Sequence, residues 1–205
     1  MPEIPESRIF IVDDDRSVRR GISLLLNSAG YCVETFDSIR DLLQTEDINM
    51  PGCILLDIFL GEESGLDLQE AIRNRFKNIP IIFITGHGDI PMSVQALKKG
   101  AVNFLQKPVD DEILLRAVDE AVKKSVVLIN IQLEIDNCRT LIDSLSPREL
   151  EILRFVIKGK LNKQIASELK IAEHTVKLHR GRITEKLGVK SVPEMMFIAE
   201  KSNLV

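Results

Sequence analysis

No apolar run in these 205 residues approaches the ~20 needed to cross a bilayer. The start Met1-Pro2-Glu3-Ile4-Pro5-Glu6 has neither the basic stretch nor the apolar centre of a secretory signal. Both absences lead us to expect a cytoplasmic protein with no membrane partner. Cysteine is scarce: Cys32, Cys53 and Cys138 are odd in number, far apart and set among apolar neighbours. That pattern argues against a disulfide framework or a thiolate zinc site, and for reduced thiols in a core. The composition of a disordered chain is also missing, since 44% of residues are hydrophobic. The length suits two small globular domains.

A surplus of one charge is absent overall but present locally. Residues 1–122 carry 12 Lys and Arg against 21 Asp and Glu, whereas residues 123–205 carry 15 against 10. An acidic half is joined to a basic half, and the basic half suggests nucleic acid. From Val109 to Ser146 there is neither glycine nor proline. Apolar or small residues recur there at Leu114, Val118, Ala121, Ser125, Leu128, Ile131, Ile135, Cys138, Ile142 and Leu145, in steps of three and four with one local discontinuity. Two readings stand: a last domain helix followed by an irregular linker, or one long helix that pairs with a partner chain.

What is present is organised around Cys53-Ile54-Leu55-Leu56-Asp57. Four small or branched apolar residues ending in a carboxylate read as a buried strand of a parallel sheet that carries Asp57 to its edge. Ile9–Val12 runs into Asp13-Asp14-Asp15 in the same way, Ile81–Ile84 into Thr85, and Asn103–Leu105 into Lys107-Pro108. Helical spacings separate these strands, over 16–30, 38–44, 66–76 and 91–99, and 31–36 reads as a further strand. Five strands alternating with helices predict a doubly wound α/β domain.

Carboxylates, a hydroxyl and an amine thus converge at one sheet edge. Asp13, Asp14 and Asp57 supply the hard oxygen ligands that Mg²⁺ or Mn²⁺ takes, and a cation relieves their mutual repulsion. An aspartate can attack phosphorus, with Thr85 and Lys107 positioned for the remaining oxygens. Asp13 to Asp15 taken alone also reads as a solvated strand end.

Taken together, Val12-Asp13-Asp14, the lone Asp57, Thr85-Gly86-His87-Gly88-Asp89 and Lys107-Pro108 resemble the receiver domain of bacterial two-component response regulators over about residues 7–124. The resemblance implies a flavodoxin-like fold with Asp57 as phosphoacceptor. It makes Asp13, Asp14, Asp57 and the backbone carbonyl of Phe59 the Mg²⁺ site, sets Thr85 and Lys107 on the phosphoryl group, and makes Thr85 and Phe104 the switch pair. Asp15 reads as a flanking acid, and His87 as a loop residue. Where the family usually has proline four residues after the phosphoacceptor, this chain has Gly61, which loosens that loop.

In the basic half, Ser146-Pro147-Arg148-Glu149 fits a capped helix start. Four amphipathic helices are predicted at about 147–158, 162–169, 173–187 and 191–201. Residues 158–190 hold nine Lys and Arg against three acids. Over 173–187, Val176, Ile183 and Leu187 form one stripe and leave a polar face for a DNA groove. Leu145-Ser146-Pro147-Arg148-Glu149, Gly159 to Ala166, Thr175 to Arg180 and Lys186-Leu187-Gly188-Val189 resemble the LuxR-type helix-turn-helix domain. The resemblance implies a phosphate contact from Lys163 and a recognition surface on or beside Thr175, Lys177, Leu178, His179, Arg180 and Lys186. Ala172 stands where many relatives have a serine or threonine N-cap, and Gly181 is either a point of close approach to DNA or a tolerated weak spot.

The whole chain is similar to FixJ/NarL-type regulators: a receiver over 1–124, a helical linker over 125–143 and a DNA-binding domain over 144–205. The implied function is a phosphorylation-controlled transcriptional regulator, on the activator side, rather than a metabolic enzyme. Its implied partners are a sensor histidine kinase, a two-fold site in double-stranded DNA, RNA polymerase and a second copy of itself once phosphorylated. A phosphatase of the haloacid-dehalogenase class wants a second aspartate two residues after its nucleophile, where this chain has Phe59. A receiver that works without phosphorylation is the third reading, against which the intact acid, hydroxyl and lysine set speaks.

Overall fold

A computed structural model describes residues 6–45, 50–60, 63–86 and 90–204, with backbone alone for 63 and 64. Gly61, His87 and the first residues of the chain lie outside them. The chain forms two compact units, Met1–Ile129 and Asn130–Val205.

In the first unit the strands are β1 (Arg8–Val12), β2 (Cys32–Phe36), β3 (Gly52–Asp57), β6 (Ile81–Thr85) and β7 (Asn103–Gln106). They form one parallel sheet in the order β2-β1-β3-β6-β7. Alternation along the strands divides the core in two. Phe10, Val12, Ile54, Leu56 and Phe83 face α2 (Ile39–Leu43), α3 (Gly65–Arg75) and α4 (Ile90–Lys98). Ile9, Ile11, Leu55, Ile82 and Ile84 face α1 (Arg16–Ser28) and α5 (Asp111–Asp143). The predicted doubly wound domain is what the chain builds. Helices begin and end where the sequence punctuates them: Asp15 and Ser38 cap α1 and α2, and Gly30 follows α1 with a left-handed φ of 92°.

One feature was not predicted. After β3 the chain makes a two-stranded antiparallel hairpin, β4 (Phe59–Leu60) with β5 (Glu63–Ser64). Strands of two residues are too short to show a period. The hairpin delivers the chain to Gly65, whose N–H bonds the Ile58 carbonyl at 2.8 Å. A Cβ at Gly65 would lie 2.5 Å from the Asp57 carbonyl oxygen, so only glycine starts α3 at this place.

Residues 111–143 form one unbroken helix, so the irregular linker is not found. The near-heptad series is divided between two cores. Leu114, Val118 and Ala121 belong to the first unit's core, and Cys138, Ile142 and Leu145 to the second's. Ser125 is fully buried because its hydroxyl donates to the Asn78 carbonyl at 2.6 Å and accepts from Gly52 N–H at 3.2 Å. Cys53 and Cys138 are buried as expected, but Cys32 is exposed at the start of an edge strand, not a core thiol.

The second unit packs α6 (Pro147–Ile157), α7 (Asn162–Leu169), α8 (Glu173–Leu187) and α9 (Val192–Lys201) on one core, including Ile152, Leu153, Ile165, Val176, Ile183, Leu187 and Ile198. The Ser146–Glu149 capping box forms in full. Ala172 stands at the N-cap of α8 without a side-chain bond, and Gly188 ends that helix at φ 65°. No helix among the described residues is long and apolar enough to cross a membrane.

Candidate functional site

The sheet register sets the first site. Val12 pairs with Leu56, Asp57 with Ile84 and Thr85 with Gln106, so Asp13, Asp57, Thr85 and Lys107 emerge at the same edge. Lys107 Nζ lies 2.6 Å from Asp13 Oδ2 and 2.6 Å from Asp57 Oδ2, bridging two buried carboxylates. Its backbone is fixed by Lys107 N–H bonding the Thr85 carbonyl at 2.8 Å, and the peptide to Pro108 is cis. Thr85 is fully buried. Phe59, 45% exposed, donates its N–H to Asp57 Oδ1 at 3.2 Å. Phe104 is half-buried and packs on the core cluster that contains Phe83, its pairing partner in β6.

Asp13, Asp14 and Asp57 bring ligand oxygens within 4.8 Å of one another. Burial pushes the Asp13 carboxyl above its ordinary value, against the hydrogen bond from Lys107, which lowers it. Burial also works to depress the Lys107 ammonium, but the bonds to Asp13 and Asp57 leave it raised. A buried carboxylate that is costly to ionise, beside two others, is a donor set that fits a small divalent cation. Asp15 is engaged elsewhere: it caps α1 through Ser17 and Val18 N–H, and those bonds hold its carboxyl low. Two supports escaped the sequence reading. Gly65 gives the Asp57 backbone room, and Arg19 Nη1 holds the Asp13 carbonyl at 2.5 Å. Neither belongs to a local motif, so no sequence signal marks them.

The second site is the polar side of α8 with the start of α7. Lys163 is exposed and shares a shallow groove with Leu161, Asn162, Lys177 and Arg180. Lys177 is exposed, Leu178 is 54% exposed and Thr175 half-buried. Of three other expected surface residues, Arg180 and His179 are half-buried, and Lys186 is exposed but bonded within the domain. Arg180 Nη1 donates to Asn162 Oδ1 at 2.8 Å. His179 is half-buried with an Nδ1 that has no partner among the described residues. Lys186 Nζ reaches Glu149 Oε2 at 2.7 Å and the Ser144 carbonyl at 3.0 Å. Glu149 is 3% exposed, and the bond from Lys186, with that from Ser146 N–H, drives its carboxyl down to about 2.

Comparison with known proteins agrees with both halves. Residues 9–119 match the response regulator receiver domain family, and residues 143–199 match the bacterial regulatory proteins of the luxR family. Nodulation protein W of Bradyrhizobium diazoefficiens is 42% identical over 192 residues, which is 94% of this chain and 85% of that protein. The transcriptional regulatory protein FixJ of Rhizobium meliloti is 34% identical over 194 residues, 93% of this chain and 94% of its own. Among solved structures, the response regulator StyR is 43% identical with a TM-score of 0.81, covering 96% of this chain and 99% of StyR. Full-length FixJ from B. japonicum is 29% identical with a TM-score of 0.56, covering 98% of this chain and all of FixJ. The chain belongs to the bacterial response regulators of the FixJ/NarL type, transcriptional regulators that join a receiver domain to a luxR-type DNA-binding domain.

Proposed function

We propose that Asp57 accepts a phosphoryl group from a sensor histidine kinase and that this modification controls binding of the 144–205 domain to a two-fold DNA site, with activation of transcription through RNA polymerase. The observation that carries the reading is the lysine bridge: Lys107 Nζ lies 2.6 Å from a carboxylate oxygen of each of Asp13 and Asp57. In the transfer an Asp57 carboxylate oxygen attacks phosphorus while the bond from phosphorus to the donor nitrogen breaks. Lys107 then turns from the carboxylate oxygen to a phosphoryl oxygen, keeping an ion pair throughout. Thr85 supplies a hydroxyl at the neighbouring strand end, and its movement toward the phosphoryl group leaves room into which Phe104 repacks.

Asp13, Asp14, Asp57 and the Phe59 carbonyl would hold Mg²⁺ or Mn²⁺, which would supply positive charge against the carboxylates. Residues 1–124 act as the receiver and 125–143 as the helical connection. A cytoplasmic location follows from the kinase and DNA partners.

Dimerisation is supported by α4, where Ile90, Val94 and Leu97 are 80%, 43% and 47% exposed on one stripe, and by Ile113 of α5 at 51%. Such an apolar stripe suits a second copy presenting the same face.

A small-molecule phosphodonor with Mg²⁺ should add one phosphoryl group to the wild-type chain, read by intact mass. Asp57→Asn should take up none, and Lys107→Ala should slow uptake or release. Equal uptake by Asp57→Asn would place the acceptor elsewhere.

A further inference from the structure

Helix α4 (Ile90–Lys98) lies on the first unit with little of its surface covered. Ala96 is its one buried residue, and Ile90, Val94 and Leu97 are exposed. An element that buries so little apolar surface owes its position to its few remaining contacts.

Three of those contacts gather at one end. Gln69 Nε2 of α3 donates to the Ala96 carbonyl at 3.2 Å and Arg73 Nη1 to the Lys99 carbonyl at 2.5 Å, while Lys99 Nζ returns to the Leu66 carbonyl of α3 at 3.0 Å. A guanidinium suits the last carbonyls of a helix, where the backbone dipole is negative. Gly100 follows with a φ of 95°, and a Cβ there would lie 2.8 Å from Arg73 Nη1, so the missing side chain leaves the place that the guanidinium fills. Gln69 is fully buried, and its Oε1 has no hydrogen-bond partner among the described residues. A buried unpaired acceptor costs stability. An apolar residue would serve packing better at this place, and what glutamine adds is the donor to α4.

The start of the helix is placed differently. Met92 is half-buried on the core cluster against which Phe104 also packs. Repacking of Phe104 therefore reaches the first turn of α4, while the ties from α3 hold the last.

Resting on the reading that a phosphoryl group at Asp57 repacks Phe104, we propose that Gln69, Arg73 and Lys99 form a fixed pivot at the end of α4, about which the start of the helix turns when Asp57 is modified. The turn reorients the stripe of Ile90, Val94 and Leu97 that a second copy meets.

The test is nuclear magnetic resonance of the isotope-labelled full-length chain with Mg²⁺, with and without beryllofluoride, for wild type, Gln69→Leu, Arg73→Ala and Arg73→Lys. In the wild type the amide signals of Met92, Ser93 and Val94 should move, and those of Lys99, Gly100 and the Gln69 side chain should stay. Gln69→Leu should keep its thermal midpoint, because it removes the unpaired acceptor together with the bond. It should nevertheless spread the movement to Lys99 and Gly100 and lose roughly tenfold of the dimerisation that beryllofluoride induces, read by light scattering. Arg73→Ala should do the same to both readouts, and Arg73→Lys, which keeps a donor for the Lys99 carbonyl, should restore part. A role in stability alone would lower the midpoint and leave the response to beryllofluoride intact, which would overturn the pivot. So would a wild-type helix that shifts along its whole length. If α4 gives no response while intact mass shows phosphoryl uptake at Asp57, the pivot fails and the acceptor reading stands. If the wild type takes up no phosphoryl group, the acceptor reading fails and the pivot with it.

Discussion

At the scale of single residues, the chain places its ionisable groups in pairs that serve different ends. Lys107 bridges Asp13 and Asp57 at the sheet edge, and in the proposed function that bridge is rearranged. Lys186 on Glu149 holds structure in place. Glu149 is buried, accepts from Ser146 N–H at 2.9 Å and from Lys186 Nζ at 2.7 Å, and so ties the start of α6 to the last turn of α8. Its carboxyl, ordinarily near 4.5, is held at about 2 in the folded chain. The folded value lies below the unfolded one, so this stabilisation is complete above about pH 4.5 and is lost as pH falls toward 2. Glu149→Gln should therefore destabilise the second unit at neutral pH by about 1–3 kcal/mol, seen as a lower thermal midpoint, and flatten its acid unfolding between those pH values. A melting profile against pH identical to that of the wild type would remove Glu149 from the account.

At the scale of elements, most of the fold was legible because β1, β3 and β6 are short branched apolar runs and most helices have a glycine, proline or capping residue at one end. Ser38, Ser146 and Ser191 cap the helices that the sequence places after them. The candidate site was legible for a related reason: in a parallel sheet the residue after a strand lands at a common edge, so order along the chain becomes proximity in space. What remained hidden depends on contacts distant in sequence. The Lys186–Glu149 pair spans 37 residues, and no period reveals it. The hairpin of β4 and β5 is too short for alternation, and it is what makes Gly65 necessary. Gly65→Ala would force its methyl against the Asp57 carbonyl and the Leu56 and Phe83 side chains. We expect a loss of about 1–3 kcal/mol together with slower phosphoryl uptake at Asp57, measured by denaturant unfolding and intact mass. Unaltered stability would show that α3 can start without this close approach.

At the scale of the whole molecule, an acidic unit and a basic unit share one chain and one 33-residue helix, α5. In the proposed function the first unit carries the chemical event and the second the DNA, and the event at Asp57 sets the affinity of the 144–205 domain. The most direct test is the affinity of the full-length chain for a selected DNA duplex, by fluorescence anisotropy with Mg²⁺, with and without beryllofluoride, for wild type and Asp57→Asn. A rise of at least about tenfold is expected in the wild type, with a steep fall on adding salt, and no rise in Asp57→Asn. Equal affinity of the wild type in both conditions would contradict it, as would a rise that persists in the variant.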